Sequence, residues 1–279
     1  MPLKLMYITN NPNVALVAEK NGVERIMIDL ETLGKEERQK GMNTVKSHHT
    51  VDDVKKISAV IKSSAVLVRI NPWNETSADE VEAVISAGAD IIMLPMWKTV
   101  TEVQEFLLAV GGRVRTVLLL ETKEAAEILD EVLEIPMLDE IHIGLNDLHL
   151  SYRLTFMFEL LANGVVEELC EKCKKKGIGY GFGGIARIGE GTLPAERIVL
   201  EHYRLGSGMA ILSRSFCNAS EIDDIAEIDR IFAVNMRNLR EFESSISQKS
   251  EAEFAENTKA VKECVDRIVR KIKEKEHER

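Results

Sequence analysis

Aromatic residues are scarce in this chain, at 5% of 279 residues, and an excess of positive charge is absent. Asp and Glu number 46 against 36 Lys and Arg, so the formal net charge is −10. Nucleic acids and anionic membranes are bound by clustered Lys and Arg, and single strands also by stacking on aromatic rings. The composition therefore predicts no nucleic acid and no membrane as partner. A small anionic substrate stays possible, because one arginine and a metal ion can reverse the field inside a pocket.

Long apolar runs and a cysteine framework are lacking too. No stretch reaches the roughly 18 apolar residues of a membrane span, and the start MPLKLMYITNNPN has no signal-peptide core or cleavage site. Of the four cysteines, Cys170 and Cys173 form a CxxC inside a helical pattern, with no second pair at zinc-site spacing. We interpret them as ordinary helix cysteines, and we expect a cytoplasmic protein.

Short apolar runs alternate with amphipathic helical stretches along the chain. The predicted strands are 3–9, 24–31, 65–71, 90–95, 115–122, 140–146, 179–185 and 208–213. These runs are almost continuously apolar, which is typical of parallel strands buried on both faces. Eight such strands with helical crossovers predict an α/β fold, a (β/α)8 TIM barrel over residues 1–220. The alternative, a doubly wound open sheet, would normally show GxGxxG after the first strand, where this chain has TNNPN.

Helices are expected between these strands and beyond them. Within the barrel they cover 51–63, 76–88, 99–110, 123–134, 158–176 and 193–204. Residues 221–279 are predicted to form a C-terminal helical extension, with helices at 221–245 and 251–277. Since barrel closure does not need this extension, it either covers its own barrel or packs on a neighbouring subunit, and we expect a homo-oligomer.

Acidic residues end two adjacent predicted strands, and catalytic groups of such barrels lie at the carboxyl ends of the strands. Glu121 ends the fifth strand and Asp147 follows the sixth. Two carboxylates on adjacent strand ends, with water completing the shell, suit Mg²⁺ or Mn²⁺. The alternative is that each acid only caps the helix that follows it.

Further strand ends carry groups that could bind a substrate. Arg69 offers a planar fork of donors for a carboxylate or phosphate, although it could instead form a salt bridge with a nearby acid such as Asp29. Beside it we expect Gly144, Asn146 and Gly183 to line the substrate pocket. The glycine-rich segments GFGG and LGSG, near the last two strands, could together hold a phosphate, with tight turns as the alternative.

Histidines are the usual acids and bases at neutral pH. His48 and His49 lie in the long loop after the second strand, on the expected catalytic face, and either could transfer protons. They could equally be solvated residues just before a helix capped by Thr50. His142 is predicted to pack in the core, and His202 to be peripheral.

Five stretches together resemble the HpcH/HpaI aldolase and citrate lyase beta-subunit family of phosphoenolpyruvate/pyruvate-binding barrels. They are GVERIMIDLE at 22–31, LVRIN at 67–71, GADIIMLPMW at 88–97, LLLETKEAAE at 118–127 and IHIGLNDLHLSY at 141–152. Each stretch is weak by itself, but the set in this order is fairly specific. The resemblance covers residues 10–215.

The resemblance implies an enzyme with a defined site. It implies that Glu121 and Asp147 hold Mg²⁺ or another divalent ion, with Asp29 beside the water shell of that ion. Arg69 then binds the carboxylate or enolate oxygen of a pyruvate-like group. The implied reaction is reversible carbon–carbon cleavage of a small oxo- or hydroxy-acid, in which the metal and the arginine stabilise an enolate.

One position departs from the family pattern. The pyruvate aldolases read D-x-E-H, with a catalytic His, whereas this chain reads Asp29-Leu30-Glu31-Thr32. Thr32 cannot act as a base near neutral pH, so His48 or His49 could supply the base. The residues also allow a citryl- or malyl-thioester lyase or hydrolase, phosphoryl or C–P chemistry of the phosphoenolpyruvate type, or a non-catalytic barrel that binds a carboxylate metabolite.

Overall fold

Parallel strands form a single sheet that closes into a barrel in this computed structural model, which describes residues 2–34 and 48–277. The strands are β1 (Lys4–Ile8), β2 (Arg25–Asp29), β3 (Ala65–Arg69), β4 (Ile91–Leu94), β5 (Arg115–Leu120), β6 (Glu140–Ile143), β7 (Gly179–Phe182), β8 (Gly184–Ile185) and β9 (Met209–Leu212). Their order is β7-β6-β5-β4-β3-β2-β1-β9-β8. Because β7 and β8 are halves of one segment, the barrel has eight strand positions. The predicted fold is confirmed, and the open sheet is wrong.

Closure of the barrel depends on a glycine in the seventh strand. The N–H of Gly208 donates to the carbonyl of Tyr180 at 2.8 Å, so the backbones of β7 and the segment before β9 meet directly. A Cβ atom on Gly181 would lie 2.2 Å from the carbonyl oxygen of Met209. No side chain fits there, and glycine alone permits this approach.

The strands are buried on both faces, as their apolar runs predict. Side chains of alternate residues fill the barrel interior: Met6, Met27, Leu67, Ile91, Met93, Val117, Leu119 and Met209. The residues between them point outward and form a larger core with the surrounding helices. These two layers hold the carboxyl ends of the strands, and hence the candidate site, in a rigid ring.

Helices surround the barrel. They are α1 (Pro12–Lys20), α2 (Val51–Val60), α3 (Ser77–Ser86), α4 (Val100–Val110), α5 (Lys123–Glu127), α6 (Leu129–Val132), α7 (Leu145–Ser151), α8 (Glu159–Ala162), α9 (Val165–Lys176), α10 (Ala195–Leu205), α11 (Ile225–Ile246) and α12 (Glu251–His277). The single helices predicted at 123–134 and 158–176 are each two shorter helices, and α1 is a helix that the sequence pattern did not predict. Within residues 2–34 and 48–277, no helix combines the length and apolarity needed to cross a membrane.

The two C-terminal helices cover the barrel of their own chain. On α11, Phe232 packs edge-on against Tyr7 of β1, with ring centroids 4.9 Å apart. On α12, the buried amide of Asn257 donates to Glu201 of α10 at 2.8 Å. The extension thus has a docking surface within the chain, while the domain boundary at residue 220 stays a prediction.

Candidate active site

The carboxyl ends of β2 and β3 hold an arginine against two carboxylates. Arg69 is paired in register with Asp29, and its Nε and Nη2 donate to the two oxygens of Asp29, each at 2.8 Å. Its Nη1 lies 3.2 Å from Glu31, and both acids are 2% exposed. The salt bridge that the sequence also allowed is therefore present. A guanidinium has five N–H donors, more than these contacts use, so a ligand can still bind it.

Electrostatics keep this arginine charged. Burial by itself would lower the pKa of Arg69, but attraction to Asp29, Glu31 and Glu121 raises that pKa above its ordinary value. Glu121 thus acts on Arg69 although it follows β5, two strands away. Together with Asp147, these carboxylates and one guanidinium sum to a formal charge of −3, which a divalent cation would reduce to −1.

Glu121 lies between the ends of the two strands beside β5. The backbone N–H of Met96, after β4, donates to its Oε1 at 3.1 Å. On the other side is Gly144, after β6, where a Cβ atom would lie 3.1 Å from Oε2. Gly144 thus lies close beside this second oxygen, and Glu121 as a residue is 3% exposed.

Helix α7 begins at the end of β6 and carries two more of the predicted residues. Gly144 is its N-cap, and Asn146 and Asp147, both partly exposed, lie in its first turn. Gly183, between β7 and β8, donates its N–H to Ile143 at 2.8 Å and has a left-handed φ of 52°. The fold therefore gathers the predicted metal ligands and glycines on neighbouring strand ends.

The two loop histidines occupy different surroundings. His49 Nδ1 accepts the backbone N–H of Asp29 at 3.0 Å, whereas His48 is exposed. A nitrogen that accepts a hydrogen bond carries no proton, so the neutral ring of His49 has its proton on Nε2. In this arrangement His49 offers a donor and not a basic lone pair. Thr50 also caps α2, as expected.

Thr32, which stands where the aldolases have His, has a structural partner. Its N–H and its hydroxyl donate to Oδ1 of Asn71 at 2.9 and 3.2 Å, and the N–H of Leu33 does so at 3.1 Å. The amide of Asn71 in turn donates to Glu80 at 2.9 Å. Asn71 thus ties the end of β2 to the end of β3. Sequence reasoning missed this role, although the R-I-N motif contains the residue.

The remaining histidines and cysteines divide between confirmed and wrong predictions. His142 is fully buried with Nε2 3.2 Å from the carbonyl of Gly183, so its core position is confirmed. The peripheral position predicted for His202 is wrong: its ring is fully buried and stacks on Phe182, with centroids 3.8 Å apart. The amphipathic α10 turns this residue toward the barrel. Cys170 and Cys173 are buried thiols in α9, as expected.

The predicted pairing of two glycine-rich segments is also wrong. GFGG lies at the carboxyl end of β7, whereas residues 206–208 precede β9 at the amino end of the barrel. They cannot share a phosphate. Gly206 instead ends α10 with a φ of 71°, and Ser207 bonds His202.

The carboxylates present fit a divalent metal of the magnesium type. Mg²⁺ commonly binds one or two carboxylates and keeps several waters. Glu121, directly after β5, and Asp147, in the first turn after β6, would provide such a pair of oxygen donors. Across the described ranges, no three or more His, Cys, Asp or Glu side chains cluster as metal ligands. The ion would therefore have to complete its coordination shell with water or substrate.

Comparison with known proteins places this fold among solved relatives. Three solved structures share it: an HpcH/HpaI aldolase from Desulfitobacterium hafniense DCB-2, an HpcH/HpaI aldolase/citrate lyase family protein from Burkholderia cenocepacia J2315, and the citrate synthase SbnG. The first has a TM-score of 0.60 at 16% identity and covers 86% of this chain and 93% of its own. The second has a TM-score of 0.59 at 14% identity and covers 81% of this chain and 94% of its own. The third has a TM-score of 0.58 at 14% identity and covers 87% of this chain and 95% of its own.

Comparison of the sequence with family models identifies the family. No curated protein sequence matches this chain. The family model for HpcH/HpaI aldolase/citrate lyase, however, matches residues 4–179, which is more than half of the chain and includes the predicted motifs from 22 to 152. This chain belongs to the HpcH/HpaI aldolase/citrate lyase family.

Proposed function

We propose that this protein is a divalent-metal-dependent carbon–carbon lyase of the aldolase type, acting on a small oxo- or hydroxy-acid through a pyruvate-like enolate. Family membership supports a lyase or aldolase activity. The metal, the substrate class and the site residues are the more specific parts of the proposal. A cytoplasmic homo-oligomer also stays a prediction.

The observation that carries the proposal is the placement of Arg69 and Glu121 in one ring of strand ends. Their mutual attraction contributes to the raised pKa of Arg69. A pyruvate-like group has a carboxylate and a carbonyl oxygen side by side. An arginine fork suits the carboxylate, and the developing negative charge on the carbonyl oxygen needs a second cation nearby.

Glu121 and Asp147 would hold that second cation, Mg²⁺ or Mn²⁺. Once bound, the ion supplies Lewis-acid stabilisation of the charge that develops on the substrate oxygen. Asp29 keeps Arg69 oriented through its two hydrogen bonds. It would lie beside the water shell of the bound ion. The backbone around Gly144, Asn146 and Gly183 would form the wall of the substrate pocket.

His49 is the better of the two candidates for proton transfer. It contacts the end of β2 through Asp29, and in this neutral form its Nε2–H can donate a hydrogen bond but not the proton itself, because losing that proton would leave an imidazolate. To protonate an enolate carbon, the ring would first have to gain a proton on Nδ1, which gives up the bond from Asp29. To act as a base through Nε2, it would first have to shift its proton to Nδ1 and give up the bond from Asp29. His48 is exposed and serves as its natural control.

A second candidate is cleavage of a citryl- or malyl-type thioester. It is favoured by Thr32, whose hydroxyl is hydrogen-bonded to Asn71 at the position where the aldolases have their His. A thioester activates the neighbouring carbon, so this reaction depends less on a protein base. The two candidates differ in substrate and share the predicted metal and Arg69.

Exchange of pyruvate methyl protons with D2O, followed by NMR in the presence of Mg²⁺, tests the first candidate. We expect exchange with the wild type, a loss of at least about 100-fold in Glu121→Gln, and a larger loss in His49→Ala than in His48→Ala. Exchange that survives Glu121→Gln would contradict the metal role. Absence of exchange together with cleavage of a citryl or malyl thioester would select the second candidate. Binding of pyruvate without either reaction would indicate a non-catalytic barrel.

A further inference from the structure

Met96 has a backbone conformation that its side chain does not favour. Its φ is 56°, in the left-handed region that residues other than glycine rarely adopt. It follows Pro95 directly after β4, on the same face of the barrel as Arg69 and Glu121. Such strained residues persist only where their surroundings hold them, and they concentrate at functional sites.

Two hydrogen bonds hold this turn against the next strand end. The N–H of Met96 donates to Oε1 of Glu121 at 3.1 Å, and the hydroxyl of Thr122 donates to the carbonyl of Trp97 at 3.0 Å. Thr122 also accepts the N–H of Ala125, in the first turn of α5. Since Trp97 is 1% exposed, the turn is anchored in the core on its far side.

The bond from Met96 fixes which way the carboxylate of Glu121 is turned. Oε1 accepts the N–H of Met96, while Oε2 lies on the side of Gly144. The N–H of Met96 belongs to a turn that continues directly into buried Trp97, so it cannot rotate away from Glu121 unless Trp97 also moves. The carboxylate is therefore oriented before any ligand arrives.

We propose that Met96 is a positioning residue for the metal site. Its left-handed backbone aims the N–H at Oε1 of Glu121 and so keeps Oε2 on the side of Gly144, toward the strand end that carries Asp147. The side chain of Met96 is not required for this, whereas the conformation of its backbone is. The inference rests on the proposed role of Glu121 as a metal ligand.

The chain offers a matched control at Met137. This residue has a φ of 71° and is 49% exposed, but it precedes β6 at the opposite end of the barrel. A valine, whose branched side chain is strongly disfavoured at positive φ, would strain both positions alike. A glycine would relieve both. Only the strained variant at Met96 should weaken metal binding.

The experiment is titration of the metal-free full chain with Mn²⁺, measured by the EPR signal of free Mn²⁺, together with thermal unfolding. Met96→Val should weaken Mn²⁺ binding about tenfold, whereas Met96→Gly and Met137→Val should stay within about twofold of wild type. Both valine variants should unfold at lower temperature than wild type. If Met96→Val does not fold, Met96→Thr, which is also branched at Cβ, takes its place, and Met96→Ala, which is strained no more than methionine, should bind Mn²⁺ like wild type.

Three outcomes separate the possible failures. Mn²⁺ binding that Glu121→Gln abolishes but Met96→Val and Met96→Thr leave unchanged would overturn the positioning role alone. Mn²⁺ binding that Glu121→Gln leaves unchanged, or no binding to the wild type, would overturn the proposed metal site and this inference with it. Equal weakening in Met96→Val and Met137→Val would show a general loss of stability and would also overturn the inference.

Discussion

At the scale of single residues, Arg69 contacts two acidic side chains and is also proposed to bind the substrate carboxylate. Its guanidinium donates to Asp29 through two bonds of 2.8 Å and lies 3.2 Å from Glu31. These bonds hold the guanidinium plane in place and leave N–H groups for a substrate carboxylate. The salt bridge and the proposed ligand role are therefore compatible, since the first orients the group that performs the second.

Arg69→Lys tests that role. Lysine keeps the positive charge but cannot make the bidentate contact, so oxalate, a mimic of a pyruvate-like enolate, should bind 10- to 100-fold more weakly, roughly. Isothermal titration calorimetry in Mg²⁺ measures this. Arg113→Lys is the control, because Arg113 pairs with Glu82 away from the site. Unchanged affinity in Arg69→Lys would mean that the arginine is only structural.

Gly144→Ala tests the close approach of Gly144 to the carboxylate of Glu121. The backbone at Gly144 has a φ of −83°, which alanine adopts freely, but the added Cβ would lie 3.1 Å from Oε2 of Glu121. We expect Mn²⁺ affinity to fall about tenfold with a small change in thermal stability. At Gly208, whose nearest contact for a Cβ is 3.8 Å, alanine should leave Mn²⁺ affinity unchanged. Equal affinities for all three proteins would place the metal elsewhere.

At the scale of elements, α12 is joined to the barrel by one buried polar residue. Asn257 is 1% exposed, and its amide donates to Glu201 at 2.8 Å and to the carbonyl of Arg197 at 3.1 Å. A valine pair, Val261 and Val265, continues the contact along the same face. The helix is thus bound by a short stripe of buried residues, with charged residues on its other side.

Asn257→Ala should destabilise the fold through this stripe. It leaves buried Glu201 with one donor fewer, so the free energy of unfolding should fall by about 1–3 kcal/mol in urea titrations. Lys259→Ala, on the exposed face of α12, should change it by less than about 0.5 kcal/mol. A similar effect of both substitutions would show that α12 contributes nothing specific through Asn257.

For the whole molecule, stability in mild acid should depend on two buried histidines. Burial lowers the pKa of His142 to about 4 and that of His202 to about 3. In the unfolded chain an imidazole titrates near 6.5, so between these values the unfolded state binds more protons than the folded state. Stability from the neutral rings is therefore present above about pH 6.5 and is lost as the pH falls toward 4.

Urea unfolding of the metal-free protein at pH 7.5, 6.5 and 5.5 measures this loss. Each buried ring should contribute a slope of up to about 1.4 kcal/mol per pH unit below pH 6.5. His142→Gln should remove one such contribution, and His48→Gln, at an exposed position, should leave the slope unchanged. Equal slopes in all three proteins would show that His142 is not buried in its neutral form.

The arrangement of the barrel was readable from the sequence alone. Strands buried on both faces need continuous apolar runs, and helices outside them need an apolar stripe, so the order of elements is present in local composition. The rule that active groups lie at carboxyl ends of barrel strands then predicted that Asp29, Arg69 and Glu121 share one end. For Gly206–Gly208 the signal was available too, since these residues precede their strand and so belong to the opposite end.

Only the tertiary structure decided how these groups meet. The left-handed turn at Met96, the contact of Asn71 with Thr32, and the burial of His202 each depend on atoms from distant parts of the chain. The sequence pattern shows how apolar a residue's neighbours along the chain are. A hydrogen bond between distant residues, or a strained φ held by such bonds, requires two elements to be placed to within about an ångström of each other. The sequence therefore determined which residues stand at the strand ends, and packing determined which atom of each faces the site.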